Sequence, residues 1–150
     1  MDLSTGIATK ADGLVDSFRA DKLNVYVYES RPKMGAAAAA VVAAELRELI
    51  AARGRAVGIL ASAPSQNEFL AALAETPGID WSRVVGFHLD EYLGMDDQAP
   101  QSFRRFLIDR LISKVPLGEF HGLRGGAVRI AAITSAELSP SNARLPATIS

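Results

Sequence analysis

Val84-Val85-Gly86-Phe87-His88-Leu89 is an apolar run that stops on Asp90-Glu91-Tyr92, two adjacent carboxylates and a phenol. A run of this length, rich in β-branched residues and closed by a turn at Gly94, reads as a strand buried on both faces. Its last residues sit where a strand leaves its sheet, and open α/β sheets bind ligands at that carboxyl edge. A carboxylate held there by fixed backbone and partial desolvation can work as a general base, which makes Asp90 the candidate for that role. The alternative is that Asp90 caps the next turn and Glu91 is a solvated surface acid, because strand ends commonly carry polar turn residues.

A second segment could complete such a site. Ala61-Ser62-Ala63-Pro64-Ser65-Gln66 joins the end of another apolar strand to a helix. Backbone N–H groups at such a junction face the crevice and the helix dipole adds partial positive charge, an arrangement suited to a phosphate, with Ser62 and Ser65 as hydroxyl donors. A serine before a helix also serves as a plain cap. The segment matches neither the P-loop nor Gly-x-Gly-x-x-Gly. Elsewhere, His88 alternates with Asp90 and shares its face, although a strand histidine satisfied within the core is the commoner arrangement. His121 lies near a strand start and is assigned no acidic partner. Gln101 and Ser102 are read as helix caps, with Arg104 and Arg105 on the solvated side of that helix. With two histidines and no cysteine, a zinc site would need carboxylate ligands, and no His-Glu-x-x-His spacing exists, so no metal is expected.

The elements that must position these residues follow from period and composition. Leu23 to Tyr28 is β-branched and aromatic, a first strand. Ser30 and Pro32 start a helix dominated by Ala, Leu, Glu and Arg from Lys33 to Ala52, closed by Gly54. Its alanine face suits a close approach to a sheet, and Val41, Leu46, Leu49 and Ile50 need cover. Arg55 to Ala61 is a second buried strand. A short helix from Asn67 to Glu75 ends at Thr76-Pro77-Gly78, Val84 to Leu89 is the third strand, and Gln101 to Val115 carries apolar residues at helical spacing. Alternation of strand and helix implies an α/β fold with a parallel sheet and right-handed crossovers.

With 150 residues the chain has length enough for one domain, and 49% hydrophobic with 22% charged residues is a globular composition. A net charge of −1 with scattered Lys and Arg suggests no nucleic-acid or anionic-membrane surface. Absence of cysteine removes disulfide and thiolate chemistry. The N-terminus has no signal-peptide pattern, and the run Ala36 to Ala44 is well short of the ~20 residues that span a bilayer, so a cytoplasmic protein is the expectation. Residues 126–150 differ in composition, rich in Ser, Ala, Pro and Asn, and are expected to be a poorly ordered tail.

Phe87-His88-Leu89-Asp90-Glu91-Tyr92-Leu93-Gly94, followed by Pro100-Gln101-Ser102-Phe103, resembles the Asp-Glu-Tyr motif and downstream Pro-Gln-Ser-aromatic segment of glucosamine-6-phosphate deaminases, within the broader group of glucosamine/galactosamine-6-phosphate isomerases and 6-phosphogluconolactonases. The likeness runs from about Leu23 to Arg124. It implies a three-layer Rossmann-like parallel sheet with helices on both faces, incomplete here, and a domain over residues 1–125. It also implies aldose–ketose isomerisation of an amino-sugar phosphate with loss of ammonia, without metal or organic cofactor. Asp90 would move the proton at carbon 2; Ser62, Ala63, Ser65, Glu91 and Tyr92 would bind the substrate. The chain departs from the family at the phosphate loop, where Ser62 and Ala63 replace two glycines, and after Arg124-Gly125, where the family's later histidine-bearing segment is absent. That departure implies a truncated or frame-shifted product. The alternatives are a 6-phosphogluconolactonase-like hydrolase and a non-catalytic sugar-phosphate-binding fragment. An uncovered sheet edge and face would favour self-association.

Overall fold

The computed structural model describes residues 12–127, so the expected tail after Gly125 lies almost wholly outside the described residues. Strands β1 (Leu14–Ala20) and β2 (Leu23–Tyr28) form an antiparallel hairpin. Helix α1 (Arg31–Arg53) follows, then β3 (Ala56–Leu60), α2 (Asn67–Glu75), β4 (Val84–His88), α3 (Phe103–Leu107) and β5 (Glu119–His121). β3, β4 and β5 make a parallel sheet in that order, so each connection carries a helix back across the sheet.

The hairpin corrects one expectation. Leu23–Tyr28 is a strand, but it pairs only with β1 and stands apart from the parallel sheet. The Asp21-Lys22 turn that joins the two strands lacks the usual glycine, and Asp21 itself takes the left-handed conformation (φ 53°). With no Asn-Gly or Asp-Gly signal, β1 passes unnoticed in the sequence.

The start and stop of α1 follow its local chemistry. The Ser30 hydroxyl accepts from the Lys33 amide, Pro32 sits in the first turn, and Gly54 ends the helix at φ 77° with its amide on the Ile50 carbonyl. Gly35, Ala39 and Ala43, four residues apart, form the buried stripe. This stripe lies against α2 rather than directly on the sheet. A Cβ at Gly35 would stand 2.7 Å from the Glu68 carbonyl carbon and 2.8 Å from the Phe69 nitrogen, so backbone approaches backbone there. Ala39 and Ala43 join Leu70 and Leu73 of α2, Trp81, Val84 of β4, and Leu107, Leu111 and Val115 in one core cluster. The last helix begins as α-helix at its Ser102 cap and widens into a π-turn over Ile108–Ile112, where the Ser113 amide reaches the Ile108 carbonyl at 2.9 Å.

Register sorts the sheet residues into two faces. Ala56 and Val84, then Gly58, Gly86 and Phe120, then Leu60 and His88 point toward the helices. On the other face lie Val57 with Val85, Ile59 with Phe87 and His121, and then Leu89. Ile59 is 70% exposed and Leu89 55%. The expectation of strands buried on both faces is therefore met on one face only: the described residues hold the sheet and one helical layer of the three-layer arrangement, an incomplete sandwich. The strands carry apolar residues on both sides because a parallel sheet is ordinarily covered twice.

The Gly35 contact gives a stability prediction. Gly35→Ala gains helix propensity of up to about 1 kcal/mol, yet forces α1 and α2 apart, and overpacking of this kind costs about 1–3 kcal/mol. We expect a net loss in urea unfolding. A variant as stable as the parent would show that the two helices do not depend on this approach.

Candidate functional site

Parallel register aligns the carboxyl ends of β3 and β4. Leu60 is paired with His88, and the Leu89 amide continues the ladder to the Leu60 carbonyl at 3.0 Å. The Ala61–Ser65 loop and the Asp90–Gly94 loop therefore leave the sheet from neighbouring strand ends. Ser62 donates its hydroxyl to the Phe103 carbonyl at 3.0 Å, tying the first loop to the start of α3. Its donor hydrogen is thereby used. Ala63 precedes a 3-10 turn over Pro64–Gln66, and Ser65 is exposed without a side-chain partner among the described residues. Arg31, which the sequence reading passed over, reaches this loop: its guanidinium donates to both Glu68 oxygens (2.9 and 2.7 Å) and to the Pro64 carbonyl (3.1 Å).

The two adjacent carboxylates have different fates. Glu91 is not a solvated surface acid. One of its oxygens accepts from the amides of Tyr92 (3.0 Å) and Phe103 (3.2 Å), the other from the Ser102 hydroxyl (2.7 Å) and the Arg104 amide (3.0 Å). Four donors occupy the four lone-pair positions of a carboxylate. As a substrate ligand, Glu91 has no acceptor position left; its geometry is that of a clamp on the first turn of α3. Burial alone would push its pKa up, but the Arg104, Tyr92 and Phe103 amides and the Ser102 hydroxyl hold it down to about 2. Asp90 is the opposite case. It is exposed at the strand end, and its carboxylate has no hydrogen-bond or ion-pair partner among the described residues. It does not cap the following turn.

Other polar groups converge on this edge. His88 is 5% exposed, and neither ring nitrogen has a partner. It is thus a buried histidine, but not a satisfied one. Burial pushes the imidazole below its ordinary range, opposed by Glu91 and Asp90 and aided by Arg104, so it stays neutral near pH 7. Asn67 Oδ1, at the start of α2, and Arg104 Nε are also buried without partners. Arg104 corrects the expectation of a solvated side chain: its Nε lies against Gly122, where a Cβ would approach it to 2.7 Å, and its terminal nitrogen is 4.0 Å from Asp97. Asp97 also pairs with Arg124 at 3.4 Å. Tyr92 is 54% exposed with its ring 4.8 Å from that of Phe103. Its carbonyl sits where a side chain at Gly125 would clash, at 2.1 Å, and the Gly94 amide bonds the Gly125 carbonyl, so the chain after β5 closes over the Asp90 loop. His121 does have an acidic partner, Glu119 at 3.2 Å, and stacks on Phe87 on the bare face of the sheet. Alternation along β5 carries that pairing, and two-residue spacing was the available signal.

These features define an α/β protein of Rossmann-like type whose polar groups gather at the carboxyl edge of a parallel sheet. No protein-family model matches the chain. Curated relatives do. Over 80 residues, 53% of this chain and 33% of the relative, it is 35% identical to the glucosamine-6-phosphate deaminase of Streptococcus pneumoniae (strain 70585). Over 49 residues it is 43% identical to the glucosamine-6-phosphate deaminase of an Exiguobacterium species, a match covering 33% of this chain and 19% of that protein. The chain thus spans a third or less of the relatives' own length in these matches. Among solved structures, a 6-phosphogluconolactonase from Shewanella baltica superposes with a TM-score of 0.58 at 24% identity over 65% of this chain and 41% of that one. A monomeric glucosamine-6-phosphate deaminase gives 0.57 at 20% identity over 67% and 42%. Glucosamine-6-phosphate deaminases are homologues of this chain, and the fold is the Rossmann-like fold shared by these deaminases and lactonases.

The Glu91 clamp sets a pH dependence. Its folded-state pKa lies below that of a free glutamate, so its stabilisation is complete above about pH 4.5 and disappears as pH falls toward 2. Glu91→Gln should cost about 2 kcal/mol at pH 7, the scale of a lost helix cap. The difference from the parent should shrink between pH 4.5 and 2. Urea midpoints measured across that range check both statements, and a penalty unchanged at pH 2 would contradict the clamp.

Proposed function

We propose that the carboxyl edge of β3 and β4 is the substrate site of a protein of the glucosamine-6-phosphate deaminase/isomerase type, working on a phosphorylated amino sugar in the cytoplasm. The observation that carries this reading is the split between neighbouring carboxylates. Glu91 is fully engaged in holding α3, whereas Asp90, one residue earlier on the same strand end, keeps an unengaged carboxylate at the mouth of the site. Pairs of acids with unlike surroundings commonly divide structural and proton-transfer roles. The sequence likeness to deaminases over 80 residues supports the substrate class.

In this reading Asp90 takes the proton from carbon 2 of the ring-opened amino-sugar phosphate and returns it to carbon 1. The product is a ketose imine, which water hydrolyses with release of ammonia. The phosphate lies at the Ala61–Ser65 loop. With the Ser62 hydroxyl given to Phe103, Ser65 is the hydroxyl donor of that loop, and Ala63 and Tyr92 contribute surface around the sugar. Nucleic acid and membrane are not partners in this reading; no helix among the described residues is long and apolar enough to cross a membrane.

The test is incubation of the purified chain with glucosamine 6-phosphate, assaying ammonia and fructose 6-phosphate, beside Asp90→Asn. Loss of a general base lowers the rate by about 10²–10⁴. We expect that loss with substrate binding retained. Equal rates in both proteins remove Asp90 from the chemistry. Turnover of 6-phosphogluconolactone alone moves the assignment to the hydrolase, and binding without turnover of either compound identifies a sugar-phosphate-binding module.

Self-association belongs to the same proposal. The row of Val57, Ile59, Phe87 and Leu89 is a continuous apolar surface of the kind that soluble monomers avoid. Sedimentation should show mass increasing with concentration, and Ile59→Lys should shift the protein toward monomer. A concentration-independent monomer in the parent chain would refute the association.

A further inference from the structure

The covered face of the sheet holds a void. Gly58 and Gly86 are direct partners in the β3–β4 register, so two neighbouring positions on that face, one on the edge strand β3 and one on the central strand β4, lack side chains. Gly86 is compensated: a Cβ there would lie 3.1 Å from a Leu60 methyl and 3.5 Å from one of Leu117. Gly58 is not. A Cβ at that position would meet no atom within 4 Å. Its backbone lies outside the left-handed region, so conformation does not demand glycine there. Above it is a pocket of about 230 Å³, partly open to solvent, walled by Val42 and Leu46 of α1, Phe69 and Leu73 of α2, and Trp81. Gln66 and the indole N–H of Trp81 are the polar side-chain groups among its lining residues. The void also accounts for why Val42, Leu46, Leu60 and Phe69 face the core yet remain only partly buried.

We propose that this cavity is a binding site for a small uncharged apolar molecule of benzene-ring size. An apolar cavity of ~150 Å³ stays dry and takes up benzene or xenon, because water there would lack the two to four polar partners it needs. The present pocket is larger and similarly lined, and its partial opening to solvent gives such a molecule a way in. A ligand entering it regains the dispersion contacts that the cavity walls now lack. Charged or strongly polar molecules are excluded, since their polar groups would be desolvated without partners. The pocket adjoins the strand-end loop through Ala61 and Gln66 but is not lined by Asp90, Ser62 or Ser65, and it does not rest on the function proposed for that edge.

Benzene titrated into the full chain, followed by methyl NMR and by the thermal midpoint, tests this directly. Saturable shifts confined to methyls of Val42, Leu46, Leu60 and Leu73, with those of Val25 and Val27 in the hairpin unmoved, together with a rise in the midpoint, are expected. Gly58→Leu should fill the void and abolish the response, and the milder Gly58→Val serves if the larger side chain prevents folding. Shifts that do not saturate, that spread evenly through the protein, or that survive in a folded Gly58 variant with unchanged affinity would overturn the proposal.

Discussion

The Glu91 carboxylate fastens the end of β4 to the start of α3, and the arrangement of the candidate site depends on that fastening. α3 begins fifteen residues after the last residue of β4, beyond a loop of turns with few apolar anchors. A helix start leaves amides without intrahelical partners. Glu91 supplies oxygens to two of them and to the Ser102 hydroxyl, while Ser102 in turn accepts from the Arg105 amide. Once α3 is held there, Phe103 offers its carbonyl to Ser62 and its ring to Tyr92. Both loops at the sheet edge are thus referred to one helix terminus. The carboxylate expected to bind substrate or to lie in solvent is instead the one that holds the site together.

Packing behind the site follows a different rule. Small residues, not large ones, decide where α1 goes: Gly35, Ala39 and Ala43 let two helix backbones approach, and the larger Leu70, Leu73, Leu107 and Leu111 fill the space left over. The same economy of side chains at Gly58 leaves the space unfilled. The opposite face of the sheet is apolar without cover among the described residues, so the strands read as doubly buried while only one face is so.

Much of this was legible in advance. Ser30, Pro32 and Gly54 bounded α1 because caps act within a turn of the residues they satisfy. The strands β3 and β4, the helix α2 and the Ser102 cap were likewise local matters of period and turn chemistry. What escaped was set at a distance. β1 lacked a turn signal, and β2 found its partner there instead of in the parallel sheet. Helical phase alone places Arg104 in solvent, but Gly122, brought in by the return of the chain through β5, and Asp97 of the loop before α3 enclose it. His88 was expected to be satisfied, yet burial came without a partner.

The amino-acid sequence by itself determined the kind of fold and the existence of a polar strand end. Hydrophobic period, caps and glycine turns act over a few residues, and Asp90-Glu91-Tyr92 with Pro100-Gln101-Ser102 carries the deaminase likeness on its face. Only the tertiary structure decided which carboxylate is engaged and which is open. The environment of an acid is made by donors eleven to thirteen residues away and by the turns between, and no spacing along the chain specifies where four hydrogen bonds will converge.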